Sequence, residues 1–194
     1  MSHIKKAETA HPVLEIIKNR WSPRSFSGKG ISKEDMNTML EASSWSFSSR
    51  NEQPWRYIVA HKDTDIFHSF FELLFPGNRP WNKKSAALIL SLGKETYGDT
   101  DEINKSMLYD VGASNMLLTL QANSMHICSY IMEGFDKEKA KNLLKLEKHL
   151  IPVVIISLGY LDDADKLEEP FKTRETSKRS RKKLNEIVLN RVIN

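Results

Sequence analysis

Residues 19 to 26 read N-R-W-S-P-R-S-F. A proline constrains Ser22 to extended backbone, so Arg20, Ser22 and Arg24 tend to project on one side. Three such groups could hold an oxyanion: an arginine fork gives two charge-assisted hydrogen bonds to a phosphate, and a hydroxyl gives a shorter third. A solvated loop with two surface arginines is the plain alternative. A second cluster, S-S-R-N-E-Q-P-W at 48 to 55, offers Ser48, Ser49 and Asn51 as neutral donors and acceptors for a polyhydroxyl chain or a heterocycle edge. Ordinary turn chemistry would use the same residues. In M-E-G-F-D, residues 132 to 136, Gly134 permits close approach by a flat ligand or a simple strand-to-helix turn, with Asp136 capping the next helix. Finally R-S-R-K-K-L-N-E-I-V, from Arg179, has a solvated basic arm as its ordinary explanation.

Other chemistries lack support. There is no phosphate loop of the G-x-x-x-x-G-K-[ST] type, no G-x-G-x-x-G, no H-E-x-x-H and no cysteine cluster, and the six histidines are scattered. Cys128, the one cysteine, sits in an apolar run, as a small buried hydrophobe does, and excludes an internal disulfide.

The elements that must carry these clusters are set by hydrophobic period and punctuation. A helix runs from Val13 behind Pro12 to Asn19. Ser32 caps a second, with Asp35 three residues on and Met36, Met39 and Leu40 as its apolar stripe. W-R-Y-I-V-A (55–60) reads as a strand, and Ile66 to Leu74 as an amphipathic helix stopped by Pro76 and Gly77. A-A-L-I-L-S-L (86–92) has the character of a strand buried on both faces. Leu108 to Met125 is a central helix packed closely on several sides. A short apolar run (127–132), a charged helix (136–146) and a core strand (153–160) come next, and core character returns only at Leu184, Ile187 and Val188.

With 194 residues, 40% of them hydrophobic, one domain spanning 1–194 is expected, its class α+β with a central mixed sheet flanked by helices. The net charge of +4 is concentrated: residues 172 to 183 hold seven basic residues and one acid, against 22 basic and 24 acidic elsewhere. A whole-surface nucleic-acid footprint is therefore not indicated, and no stretch approaches the roughly 20 apolar residues of a membrane helix. With no apolar run of signal-peptide length at its N-terminus, the chain reads as soluble and cytoplasmic, without nucleic-acid or membrane partners.

In their order along the chain, these segments resemble the FMN-dependent nitroreductase family. The likeness runs from Ile16 to Val188 and rests on N-R-W-S-P-R-S-F, S-S-R-N-E-Q-P-W, A-A-L-I-L-S-L, Y-D-V-G-A-S-N-M-L-L, E-G-F-D and R-S-R-K-K-L-N-E-I-V. It implies an intertwined homodimer with FMN at the subunit interface. It also implies that Arg20 and Ser22 hold the FMN phosphate together with Arg179 and Arg181, so that the basic segment 172–194 completes the site. Arg24 would approach the flavin pyrimidine or the ribityl oxygens. Ser48, Ser49 and Asn51 would reach the flavin from the partner chain, and main-chain groups of Glu133 and Gly134 would lie near N5. Asn82 is a candidate for the ribityl chain, and Trp21 for stacking near the cofactor or for core packing. Phe47 and Lys183 stand where many relatives carry proline. The expected activity is ping-pong hydride transfer from NAD(P)H through FMN to nitroaromatics, quinones or similar flat electrophiles, with no protein nucleophile. A same-fold flavoenzyme doing dehalogenation, ring oxidation or flavin cleavage is the alternative; a basic nucleic-acid module is another, and it lacks stacking aromatics.

Overall fold

The computed structural model describes residues 2–189. Its centre is a four-stranded sheet of β1 (Trp55–His61), β2 (Ala87–Lys94), β3 (Cys128–Met132) and β4 (Leu150–Gly159), in the order β1-β2-β4-β3. Along β2 the side chains alternate between two buried faces, which is why its sequence is apolar from Ala87 to Leu92 but for Ser91. Leu88, Leu90 and Leu92 meet one core with Phe67, Phe70, Leu73, Trp81 and Ala140, while Ala87 and Ile89 meet the other with Met36, Met39, Leu118 and Ala122.

Helices cover both faces. One layer holds α4 (Asp65–Leu73), the short α5 (Arg79–Asn82) and α7 (Lys137–Leu144); the other holds α3 (Lys33–Ser44) and α6 (Met107–Ser124). Caps fix several starts: Ser32 Oγ accepts from the Asp35 N–H at 3.0 Å, and Asp136 Oδ1 accepts from the Lys139 N–H at 2.9 Å. Polar pins lock α6 to the sheet, with Tyr57 Oη 2.9 Å from Ser114 Oγ and Ser91 Oγ donating to Asn115 Oδ1 at 3.0 Å. Short helices complete the chain: α1 (Ser2–Lys5), α2 (Glu15–Asn19), α8 (Phe171–Thr176) and α9 (Leu184–Ile187).

Four features depart from the sequence expectation. The sheet is antiparallel in every pairing rather than mixed. The connections carrying α4 and α7 act as long hairpin loops, so His61 pairs with Ala87 and Met132 with Ile155, whereas the one carrying α6 crosses from β2 to β3 with β4 between them. The helix expected from Val13 is α2, which starts at Glu15 with Leu14 at its cap, so Pro12 lies outside it. Helix α6 is covered on one side only: Leu108 is 62% and Tyr109 72% exposed, and Met116 also faces outward. Leu184, Ile187 and Val188 join no core, because no other element among the described residues lies over α9. Residues 190–194 of the expected basic segment lie outside the described residues.

Candidate cofactor site

The N-R-W-S-P-R-S-F segment leaves α2 at Arg20, whose backbone is extended (φ −67°, ψ 122°). It is stitched along the end of β4: the Ser27 N–H donates to Tyr160 O, the Asp162 N–H to Ser25 O, and Phe26 packs against Gly159 so closely that a Cβ there would come 2.7 Å from the ring. A third support crosses 150 positions of sequence. Glu175 of α8 is 1% exposed, and its Oε1 accepts from the backbone N–H groups of Arg24 (2.9 Å) and Ser25 (3.2 Å).

This anchored loop opens a pocket of about 170 Å³ lined by Lys5, Arg20, Trp21, Ser22, Arg24, Arg174, Arg179 and Arg181. Six of the eight carry positive charge and none is an acid. Arg20 Nη1 reaches Ser22 Oγ at 3.5 Å, and Arg179 Nη1 donates to the carbonyls of Lys5 and Lys18, both at 3.0 Å. Burial lowers the Arg20 pKa, helped by the nearby Arg181 charge, and burial also lowers that of Arg179, helped by Arg181 and Arg20. These cations repel one another, so a bound dianion would relieve them. The donor set fits a phosphate ester: planar guanidinium forks, a hydroxyl and no competing carboxylate.

Arg24 behaves differently from Arg20. Its Nη2 donates to Tyr130 Oη at 2.7 Å, and the guanidinium lies 4.9 Å from the centroid of the same ring. The charge is thereby fixed in place with donor capacity left over. Trp81 packs against Tyr130 in turn, with centroids 4.5 Å apart.

The Ser48–Gln53 loop lies elsewhere in this chain and shares no lining residue with the arginine pocket. Arg50, Asn51 and Gln53 all have left-handed backbone (φ 54°, 55° and 50°), a costly run for non-glycine residues. Contacts hold it in place: the Ser49 N–H donates to Asp110 Oδ2 (3.1 Å), Ser49 Oγ meets Tyr97 Oη (3.1 Å), and the Gln53 N–H donates to Ser48 Oγ (3.0 Å). The Ser48 hydroxyl thus closes the turn, while that of Ser49 ties the loop to Tyr97. The Asn51 side chain has no hydrogen-bond partner among the described residues and lines an open cavity of about 310 Å³ with Trp45, Ser46 and Gln53.

At the end of β3, Gly134 O accepts from the Phe75 N–H (3.0 Å) and from Asn78 Nδ2 (3.1 Å), whereas the Gly134 N–H donates to no group among the described residues. Glu133 is exposed, its carboxylate 3.5 Å from Lys137 Nζ. Asn82 is fully buried with its amide engaged inside the protein: Nδ2 donates to Asn78 O and Met132 Sδ, and Oδ1 accepts from the hydroxyls of Ser85 and Ser157. It lines neither the arginine pocket nor the Asn51 cavity.

Two residues lining the pocket, Lys5 and Arg174, and two that brace Arg24 from behind it, Glu175 and Tyr130, were missed by sequence reasoning. Lys5 and Arg174 lie outside any motif, Glu175 is the single acid in a stretch read for its basic charge, and Tyr130 is hidden in an apolar run. Among the described residues no cluster of three or more His, Cys, Asp or Glu could hold a metal, and no helix is long and apolar enough to cross a membrane.

Fold and pocket together define an α+β protein in which residues 5–24 and 174–181 meet around one strongly basic pocket. Residues 17–160 match the Nitroreductase family. Over 94 residues the chain is 33% identical to the major NAD(P)H-flavin oxidoreductase of Aliivibrio fischeri, covering 47% of this chain and 43% of that protein. It is 27% identical to an Archaeoglobus fulgidus protein provisionally named NADH dehydrogenase/NAD(P)H nitroreductase, over 77% of this chain and 86% of the other. A crystal structure of an oxidoreductase containing FMN superposes with a TM-score of 0.89 at 28% identity, covering 96% of both chains. This chain belongs to the nitroreductase family.

Proposed function

We propose that the protein is an NAD(P)H-dependent oxidoreductase that uses FMN to reduce nitroaromatics, quinones or similar flat electrophiles. The observation that carries the reading is the acid-free pocket where Arg20, Ser22, Arg179 and Arg181 converge. A phosphate near two negative charges matches that set, each charged hydrogen bond contributing about 1.5 to 3 kcal/mol. Bound FMN supplies hydride transfer between NAD(P)H and the acceptor. This chain's part is to bind, orient and polarise. Arg20, Ser22, Arg179 and Arg181 hold the phosphate, and Arg24, braced by Tyr130 and Glu175, keeps a fixed cation beside the ring system. The unpartnered Gly134 N–H offers a donor at the end of β3, with Glu133 beside it. No protein acid or nucleophile is needed. Reductant and acceptor occupy the same place in turn, giving ping-pong kinetics, and a shared stacking surface selects for flat shape over functional group.

The complete site needs two chains. Ser48, Ser49 and Asn51 lie on a loop separate from the arginine pocket, so they meet the flavin held by a partner subunit. The uncovered faces of α6 and α9, with Trp45 (81% exposed) and Phe47 stacked 5.6 Å from Tyr109, are the surface that a homodimer would bury. The chain thus acts as one domain whose basic C-terminal segment completes the cofactor site, and a cytoplasmic setting suits its NAD(P)H supply and its one thiol.

The visible spectrum of the purified protein tests the core of this reading. A yellow preparation with one FMN per chain, oxidising NAD(P)H in the presence of a quinone or nitroarene, is the expected result. A colourless protein that also fails to take up added FMN would sink it.

A further inference from the structure

We propose that Lys5, which lies outside the residues matched to the family, is a ligand of the cofactor phosphate and is held in place by the face of Trp21. This rests on the FMN reading above. Helix α1 folds back beneath the arginine loop. The Lys5 ammonium donates to the carbonyls of Arg174 (2.8 Å) and Ser177 at the end of α8, and it sits 5.2 Å from the centroid of the Trp21 ring. Cations are favoured at a helix C-terminus and over an indole face.

These contacts do not complete its needs. An ammonium has three donors, and two are used. The residue is only 6% exposed, yet it forms no ion pair among the described residues. A buried, unpaired charge is costly, and it persists where something else neutralises it. Burial pulls the Lys5 pKa below the ordinary lysine value; Glu175 opposes this, while Arg24 and Arg179 add to it. Lys5 also lines the same pocket as Arg20, Ser22, Arg179 and Arg181. A phosphate there would accept a hydrogen bond from the third N–H and add a countercharge at bonding distance, where Glu175 acts only from farther off. Trp21 then has a definite role: it is the platform that aims Lys5 rather than a stacking partner for the flavin.

The test compares FMN with riboflavin, which lacks the phosphate. The apo protein and its Lys5→Met, Lys5→Arg and Trp21→Leu variants are titrated with each flavin, and binding is read by flavin fluorescence, with the melting temperature of each apo variant as a check on folding. Loss of one charged contact predicts about tenfold or greater weakening for FMN in Lys5→Met, with riboflavin affinity unchanged and partial recovery in Lys5→Arg. Trp21→Leu should show the same selective loss, and the double variant should be no worse than either single one. Equal losses for both flavins, or none, would overturn the assignment and leave Lys5 as a structural cap on α8. If Lys5→Met does not fold, Trp21→Leu decides by the same comparison. Wild type that binds no FMN overturns the parent reading as well; wild-type binding with an indifferent Lys5→Met overturns the Lys5 role alone.

Discussion

Arg20→Met separates a cofactor contact from a structural one. In this chain the Arg20 guanidinium has one polar neighbour, Ser22 Oγ at 3.5 Å, and no ion pair among the described residues. Its pKa is depressed by burial and by Arg181, so the free protein bears its charge at a cost. Methionine keeps most of the packed stem and removes that charge, so apo stability should hold or rise slightly. Binding should suffer, with a lost charged hydrogen bond of about 1.5 to 3 kcal/mol raising the FMN dissociation constant about 10- to 150-fold. At FMN 100 times the wild-type constant, wild type gains about 2.7 kcal/mol, or roughly 5–11 °C in Tm for a chain of this size. A 30-fold weaker variant retains about 0.9 kcal/mol, or roughly 2–3 °C. Thermal melts with and without FMN measure both quantities. The reasoning is refuted if Arg20→Met shows the wild-type FMN shift, or if its apo melting temperature drops steeply.

Gly134→Ala places a methyl 2.7 Å from Asn78 Nδ2, displacing that amide from Gly134 O; a loss of about 1 to 2 kcal/mol and slower flavin reduction in stopped flow are expected. Burial pushes the Cys128 thiol up to about 11, so alkylation of the native protein at pH 8 should be far slower than of the unfolded chain. By linkage, the stability tied to its neutral form is present below about 9, the free-thiol value, and lost as pH rises through about 11, so Cys128→Ala should lose less stability between those limits. Tyr109→Glu on the uncovered face of α6 should shift sedimentation from dimer to monomer and release FMN. A dimer that keeps its flavin would contradict the assembly proposed.

The parts legible in the sequence were local ones. Arg20, Ser22 and Arg24 are neighbours whose extended backbone is set by one proline, and the alternation of β2 is written in its own residues. What escaped depends on partners far along the chain. Lys5 meets Arg174 across 169 positions and Glu175 meets Arg24 across 151, and neither spacing leaves a periodic trace. Asn82 is ambiguous for a related reason: an amide before a buried strand reads the same whether it faces a sugar chain or, as in this chain, the hydroxyls of Ser85 and Ser157. Strand direction is likewise set by where α4 and α7 return the chain. The apolar character of α6 on all sides implied burial on all sides; one chain supplies half of it, and the other half falls to the proposed partner.

Glu175 offers the sharpest contrast with Arg20, because the same loop depends on it in the opposite way. It is the single acid among seven bases at 172–183, and it is the one that folds inward. Alanine there would orphan the N–H groups of Arg24 and Ser25, at about 1 to 3 kcal/mol each. The apo protein should therefore melt lower by roughly 5 °C or more, and FMN affinity should fall with it as the loop loosens. Glutamine keeps an oxygen for both donors and removes only the charge, so loop and affinity should persist. Burial raises the Glu175 pKa, so the cost of its ionised form is absent below the ordinary carboxylate range and grows as pH rises through the folded value. Wild type should lose stability relative to Glu175→Gln across that window, which melts from pH 4 to 8 would reveal. Parallel curves, or an alanine variant as stable as wild type, would mean that the loop is held by its packing at Phe26 and Gly159 rather than by the carboxylate beneath it.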